Sequence, residues 1–329
     1  MVHNFMENNR SALVSIVSVF YNRAYCAEES VQSLIDQTYE NVEIILIDDE
    51  SKDNTLEILK KFESDNVKVI SHANKGLTRS FNEAIALAKG EFIAIHGSGD
   101  FSFPERIEKQ VNYLLSNPST GVIGCGREVY CEKTENATYT VKDVTLKKNE
   151  LLSHEKNIFS HGEVLMRADL YRKVGGYREV FKYTQDYDLW LRINELADVS
   201  TFPEVLYREY SRKDGIRNDM DKVIDQIKFF VLARLSATSR KKSNGDDILD
   251  TQYDEPFDLL TSSHCVSNAL AYAAFSELSS GNRISAHKFI KGSKKYPTSL
   301  KTFLVDLSIR FNLIGKLLIP VGKFYQKRK

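Results

Sequence analysis

Cysteine is scarce in this chain and unpaired in its spacing: Cys26, Cys125, Cys131 and Cys265 form no CxxC motif and have no histidine cluster beside them. That excludes a zinc ribbon and a disulfide framework, and reduced thiols are expected. Net charge is absent too. Forty-five basic residues balance forty-five acidic ones, so the chain lacks the positive field that grips a nucleic-acid backbone, and any nucleotide partner should be small. Long apolar runs are also missing. The nearest, Phe303 to Val321, is broken by Asp306, Arg310 and Lys316 and followed by a basic tail, Lys323 to Lys329. Such a segment suits an amphipathic helix, either at a membrane surface or packed on neighbouring helices. Met1 to Arg10 is polar and has no apolar export segment, so a cytoplasmic chain is expected, with the tail allowing peripheral contact with the inner face of the membrane.

What is present is an alternation of strand-like and helix-like segments. At 329 residues the chain suits one α/β domain of about 200 residues plus an extension. Val14 to Val19 reads as a strand and Ala27 to Gln37 as a helix. Val42 to Ile47 is an almost unbroken apolar run, as a parallel strand covered on both faces should be, and Asp48-Asp49 stand at its end. Ser51 to Asn54 are cap-type residues before a helix ending near Phe62. Val67 to Ile70, Leu77 to Lys89 and Phe92 to Ile95 continue the alternation as strand, helix and strand, and Pro104 opens a helix to about Leu115. This order predicts a doubly wound, mostly parallel sheet whose ligands lie beyond the C-terminal strand ends.

Farther along, Gly121 to Asp143 reads as short β pieces, Glu163 to Arg167 as a strand and Asp186 to Glu195 as an amphipathic helix. Beyond Arg212 the pattern is helical. Asp219 to Leu235 reads as helix, Ser236 to Asp250 as a polar linker, and Ala269 to Gly292 as a helical hairpin turning at Ser280-Gly281-Asn282. The hairpin is similar to one tetratricopeptide-type pair, but a repeat array needs about three, so it is taken as helical packing. The division expected is residues 1–212 as the α/β domain and 213–329 as a helical extension with an amphipathic basic tail.

A carboxylate ending the second parallel strand is placed to accept hydrogen bonds from a base N–H or a ribose hydroxyl, although an acidic pair before a helix can equally be a cap. An ordered set of motifs favours the first role. It comprises Val17-Ser-Val-Phe-Tyr-Asn22, Ser33 to Asp49, Ser51-Lys-Asp-Asn-Thr55, Asn74-Lys-Gly-Leu77, Ser80-Phe-Asn82, Phe92-Ile-Ala-Ile95, Pro104-Glu-Arg-Ile107, His161-Gly162, Val174-Gly-Gly-Tyr-Arg178 and Gln185-Asp-Tyr-Asp-Leu-Trp-Leu-Arg192. From Ser11 to Tyr210 the sequence resembles the inverting, GT-A-fold glycosyltransferases of the family-2 type.

The resemblance implies a nucleotide-sugar donor, most simply a UDP-sugar, and a saccharide or lipid-linked saccharide acceptor. It assigns Tyr21, Asn22, Asp48, Asp49, Arg79 and Asn82 to the nucleotide. Asp186 falls on the family's general base, with Asp188 as runner-up. The base is needed because the acceptor hydroxyl must lose a proton as it attacks the anomeric carbon. His161, Gln185 and Trp190 fall near the diphosphate or acceptor, against core packing for the tryptophan and helix capping for Asp186.

One motif departs. The family's Asp-x-Asp, whose second carboxylate binds the divalent cation on the leaving diphosphate, is replaced by His96-Gly97-Ser98-Gly99-Asp100. Three alternatives stand. Asp100 with His96 forms a weakened site, suited to Mn²⁺ over Mg²⁺. Otherwise backbone N–H groups of the Gly97 to Gly99 turn and cations such as Arg79, Arg208 or Arg212 replace the metal. In the third, the chain binds sugar nucleotides or glycans without catalysis. A nucleotidyltransferase is disfavoured, since the loop Phe20 to Cys26 has no glycine. The expected function is inverting sugar transfer in surface polysaccharide synthesis, with Arg127 to Ile158 shaping specificity.

Overall fold

In a computed structural model, described over residues 11–132, 134–154, 156–212, 219–250, 260, 264–297, 299, 302–303 and 305–306, the apolar runs become the strands of one sheet. Met1 to Arg10 and the basic tail lie outside the described residues. The chain divides into two compact units, Met1–Arg212 and Lys213–Lys329.

In the first unit β1 (Val14–Phe20), β2 (Val42–Asp48), β3 (Val67–Ser71) and β4 (Phe92–Gly97) alternate with α1 (Ala24–Ile35), α2 (Thr55–Lys60) and α3 (Leu77–Ala86). Then come β5 (Phe101–Ser102), α4 (Arg106–Ser116), β6 (Thr120–Cys131), β7 (Asn136–Thr140), β8 (Val144–Leu146) and β9 (Leu165–Arg167). Helices α5 (Ala168–Lys173) and α6 (Gln185–Asn194) precede β10 (Asp198–Ser211). The strand order is β3-β2-β1-β4-β9-β6-β10-β5, with β7 on β6 and β8 on β10.

Strands β1 to β4 pair in parallel, and the chain reverses its direction of travel across the sheet between β1 and β4, leaving the crevice where ligands bind in open sheets. Register does the rest. Phe20 stands opposite Asp48, Val19 opposite Gly97 and Asp48 opposite Ser71, so every sequence-selected strand end arrives at one rim. One face of the sheet, with Val14, Ile16, Phe20, Ile44, Leu46, Phe92 and Ala94, packs on Ala27, Val31 and Leu34 of α1 and on Ile107, Val111 and Leu114 of α4. Each of the larger side chains contributes about 1.5–3 kcal/mol by leaving water.

The two longest strands differ from expectation. Gly121 to Asp143 is not a set of short pieces, because β6 runs unbroken for 12 residues and pairs with β10 in parallel. Strand β10, which carries Pro203 and several charges, has no counterpart among the elements expected from the sequence. Proline cannot donate to a ladder, and here it falls inside the register shift between Thr201 and Val205, where none is required.

The second unit is helical: α7 (Met220–Lys242), α8 (His264–Ser279) and α9 (Arg283–Ser293). Helix α7 is capped by Asp219, which accepts from the N–H groups of Asp221 and Lys222. It runs to Lys242, so Ser236 to Asp250 is not a linker. Ser236 and Ala237 are buried, and the Ser236 hydroxyl donates to Asp247 at 2.7 Å, folding the following turn back on the helix. Among the described residues no helix is long and apolar enough to cross a membrane.

Two buried carboxylates of the first unit are paired with arginines. The Asp188 carboxylate, fully buried in α6, accepts from Arg192 at 2.8 and 3.1 Å and from both Nε and Nη2 of Arg178, and Arg192 also donates to the carbonyls of Val174 and Gly176. Asp188→Asn removes the charge that two enclosed guanidiniums require. It should lower unfolding stability by about 3–5 kcal/mol in urea titrations followed by circular dichroism.

Glu163, 2% exposed, lies 3.3 Å from Arg127 Nη1, and burial pushes its carboxyl up from 4.5 to about 7 despite that cation. Between those values the native state holds a proton that the unfolded chain has released, so stability falls as pH rises through this window. Relative to Glu163→Gln, the wild type should therefore lose urea-unfolding stability as pH rises from 4.5 to 7.

Candidate active site

The first wall of the crevice is made by the loops after β1, β2 and β3. Asn22, held at φ 51°, donates its N–H to Ser51 Oγ at 3.0 Å and accepts from Lys52 N at 2.7 Å through Oδ1. Arg23 N and Ala24 N donate to Thr55 Oγ1 and Asp53 Oδ2, so the β1 and β2 loops form one stitched surface with Tyr21 exposed on it.

The acidic pair divides its labour. Asp49 Oδ1 accepts from Lys75 N and Ser80 Oγ at 2.9 and 3.0 Å, Oδ2 accepts from Gly76 N at 3.1 Å, and His72 Nδ1 lies 3.4 Å away. That carboxylate, 3% exposed, builds the loop entering α3. Asp48 accepts from Ser51 N and Ser71 Oγ through Oδ2, while its buried Oδ1 meets no hydrogen-bond partner among the described residues. Of the pair, Asp48 has the acceptor capacity left for a ligand.

One nucleotide assignment, Asn82, is at odds with its contacts. Asn82 is fully engaged inside the protein: its Nδ2 donates to Tyr177 O, and its Oδ1 accepts from Tyr177 N and the Tyr171 hydroxyl. It fastens α3 to the segment before α6. Arg79 is exposed and stands between Glu83 and Glu179, at 3.7 and 3.9 Å.

The second wall is the turn after β4, and its donor set does not fit a divalent cation. A β-carbon on Gly97 would overlap the Asp100 carboxylate and stand 3.0 Å from the Tyr207 hydroxyl. One on Gly99, whose φ is +87°, would stand 2.5 Å from Cys26 Sγ and 3.1 Å from Arg212 Nη1. The positions of both missing carboxylates are thus filled by other groups. Asp100 is committed as well, accepting from Tyr207 Oη at 2.7 Å and Tyr210 N at 3.1 Å, and burial pushes it up to about 7. His96 is fully buried, with Nε2 3.0 Å from Ser30 Oγ and 3.2 Å from Asp100 O. Burial, then the nearby Arg106 charge, push its pKa down to about 3, so the ring is neutral. Among the described residues no three His, Cys, Asp or Glu side chains gather as a metal site.

Arg106 and Tyr207 shape this turn, and neither was selected from the sequence as functional. Arg106, wholly buried, donates to Gly162 O at 2.8 Å and Ile95 O at 2.9 Å, and its guanidinium lies 5.2 Å over the Tyr207 ring. Tyr207 Oη also accepts from Gly97 N at 2.9 Å. A signal existed: Arg106, Ile107, Gln110, Val111 and Leu114 form the buried stripe of α4, and a charge on such a stripe marks a buried polar network.

The third wall carries the expected base. Gly162 lies against Gly97, since a β-carbon there would be 3.0 Å from Gly97 N, and this brings the His161 to Glu163 turn onto the end of β4. His161 Nε2 pairs with the Tyr177 hydroxyl at 2.7 Å, and its ring packs edge-on against Phe81 at 5.0 Å. Burial lowers the His161 pKa, and the Asp186 charge opposes that shift. Asp186 occupies the first turn of α6, half-buried, and accepts from Asn157 Nδ2 at 3.2 Å. Thr184, not Asp186, is the N-cap residue, at φ 61°.

Asp188 is unavailable as an alternative base, being locked between Arg178 and Arg192. Gln185 is buried beside Asp186. Trp190 is fully enclosed and edge-on to Phe159 at 5.7 Å, so it packs the core and does not present a face to an acceptor sugar.

This geometry has counterparts. The family model for glycosyl transferase family 2 matches residues 15–175. EpsE of Bacillus subtilis (strain 168), which carries a glycosyltransferase name, is 36% identical over 193 residues, covering 57% of this chain and 68% of that protein. An uncharacterized glycosyltransferase of Rickettsia typhi is 33% identical over 208 residues, covering 61% of this chain and 65% of its own length. The chain therefore spans about two thirds of those relatives. Among solved structures, Staphylococcus aureus TarS residues 1–349 with UDP superposes with a TM-score of 0.57 at 17% identity, covering 91% of this chain and 92% of that one. The mannosyltransferase PcManGT from Pyrobaculum calidifontis, solved with GDP-Man and Mn²⁺, gives 0.55 at 16%, covering 93% and 81%. The chain is therefore a GT-A-fold member of glycosyltransferase family 2.

Proposed function

We propose that this protein transfers one sugar from a nucleotide-sugar, most simply a UDP-sugar, to a hydroxyl of a glycan or glycolipid, with inversion at the anomeric carbon. The observation that carries the proposal is the position of Asp186, half-buried at the start of α6, beside a His161 turn that is packed on the end of β4. In the step proposed, the acceptor oxygen forms its bond to the anomeric carbon as the carbon's bond to the diphosphate breaks on the opposite face. The acceptor proton passes to Asp186, and the electron pair leaves with the nucleoside diphosphate. His161 and Tyr177, hydrogen-bonded to each other, line that approach, and the uncommitted Asp48 oxygen is available to a base N–H or ribose hydroxyl.

The relatives' glycosyltransferase names and the UDP and GDP-Man in the two structural neighbours support a nucleotide-sugar donor. Synthesis of surface polysaccharide on the cytoplasmic side of a membrane, from a lipid-linked acceptor, is the setting we propose. A second reading, sugar-nucleotide or glycan binding without transfer, is favoured by one observation, the replacement of both acidic positions by Gly97 and Gly99.

Release of nucleoside diphosphate, measured across UDP- and GDP-sugars with saccharide and polyprenyl-linked acceptors, separates the two. The wild type should turn over. Asp186→Asn should lower kcat by about 10²–10⁴-fold with little change in the KM for donor, as expected when a general base is lost. Turnover unaffected by that substitution removes Asp186 as base, and nucleotide binding with no turnover on any acceptor favours the binding protein.

A further inference from the structure

Resting on the nucleotide-sugar reading, we infer that the leaving diphosphate is neutralised without a divalent cation, by the guanidinium of Arg212 at the Gly99 turn, where the family carries its metal-binding carboxylate.

The argument begins with occupancy of space. Gly99 is more than a lost ligand, because its φ of +87° disfavours a side chain and a β-carbon would be driven against Cys26 Sγ and Arg212 Nη1. The glycine and the arginine go together: removing the carboxylate's β-carbon is what lets the guanidinium lie against the turn. Arg212 Nη2 donates to Gly99 O at 2.7 Å, Nε lies 3.0 Å from Glu132 Oε1, and the group is stacked over Tyr210 at 4.6 Å and Tyr25 at 5.5 Å. Its side chain is 9% exposed, so the charge is held in place and not left to sweep through solvent. A planar, weakly hydrated fork of donors suits phosphate oxygens, and its position is largely fixed before a ligand arrives.

Other candidates for the same task are engaged elsewhere. The N–H groups of Gly97 and Gly99 donate to Tyr207 Oη and Ser30 Oγ, and that of Asp100 donates to Gly97 O, so these three donors of the turn are taken up within the protein. Arg208 is tied at 2.6 Å to the buried Glu128 and lies over Phe101, Phe103 and Tyr130, and Arg79 stands between two glutamates, whereas Glu132, the acid beside Arg212, is itself 44% exposed.

Isothermal titration of UDP and of GDP into the full chain, in EDTA and in Mn²⁺, tests the inference. The nucleotide that binds should do so with the same affinity in both buffers. Arg212→Met, which keeps a long side chain against the two tyrosines, should weaken it by about tenfold to a hundredfold, with Arg212→Lys between. Electron paramagnetic resonance of Mn²⁺ gives a readout that needs no variant to fold. Protein added to Mn²⁺ and nucleotide should sequester no more metal than the nucleotide alone. Affinity lost in EDTA and restored by Mn²⁺, extra bound Mn²⁺, or wild-type affinity in Arg212→Met overturns this inference and leaves the donor reading intact. Binding of neither nucleotide in either buffer overturns both.

Discussion

The guanidinium of Arg106 has no contact with water, and the arrangement of the crevice follows from how that charge is satisfied. Taking a cation out of water costs several kcal/mol, and here the cost is offset by Nη1 and Nη2, which donate to carbonyls of two separate segments, Gly162 in the turn before β9 and Ile95 in β4, above the face of Tyr207, while Nε meets no partner among the described residues. These contacts fasten the end of the parallel sheet, the His161 turn and strand β10 to one point. The same charge helps keep His96 neutral, so the ring serves as a buried spacer beneath the Gly97 turn. Tyr207 completes the knot by accepting from Gly97 and donating to Asp100.

Much of this was legible in the sequence because parallel strands covered on both faces are nearly continuous apolar runs, and β1, β2 and β4 are such runs. Once their order is known, the rim of the sheet and its polar residues follow from register. The residues that failed to reveal themselves are those whose roles depend on distant partners. Strand β10 forms against β6, β5 and β8, and nothing local distinguishes its charged, proline-containing run from a loop. Asn82 has a motif's position but an interior role set by the backbone of Tyr177. Asp48 and Asp49 are indistinguishable in sequence, and only the fold shows which one the β3–α3 loop takes up.

The β4 turn shows how a lost motif differs from a decayed one. A site abandoned by selection would be expected to leave a gap or loosely held side chains. Here the volumes next to Gly97 and Gly99 hold the Asp100 carboxylate, the Tyr207 hydroxyl, Cys26 and Arg212, each in defined contact. Repacking on this scale involves β10, α1 and β4 together, so no single substitution would return the turn to its acidic form.

Trp190, the chain's single tryptophan, lies in the interior of α6 with Phe159 edge-on to its ring and no exposed surface. The helical second unit has no indole at all. Excitation near the red edge of protein absorbance therefore illuminates one unit selectively. The emission maximum should be blue while the α/β unit is intact and should shift only when that unit opens, which makes the protein a native optical gauge for the stability of one of its two halves.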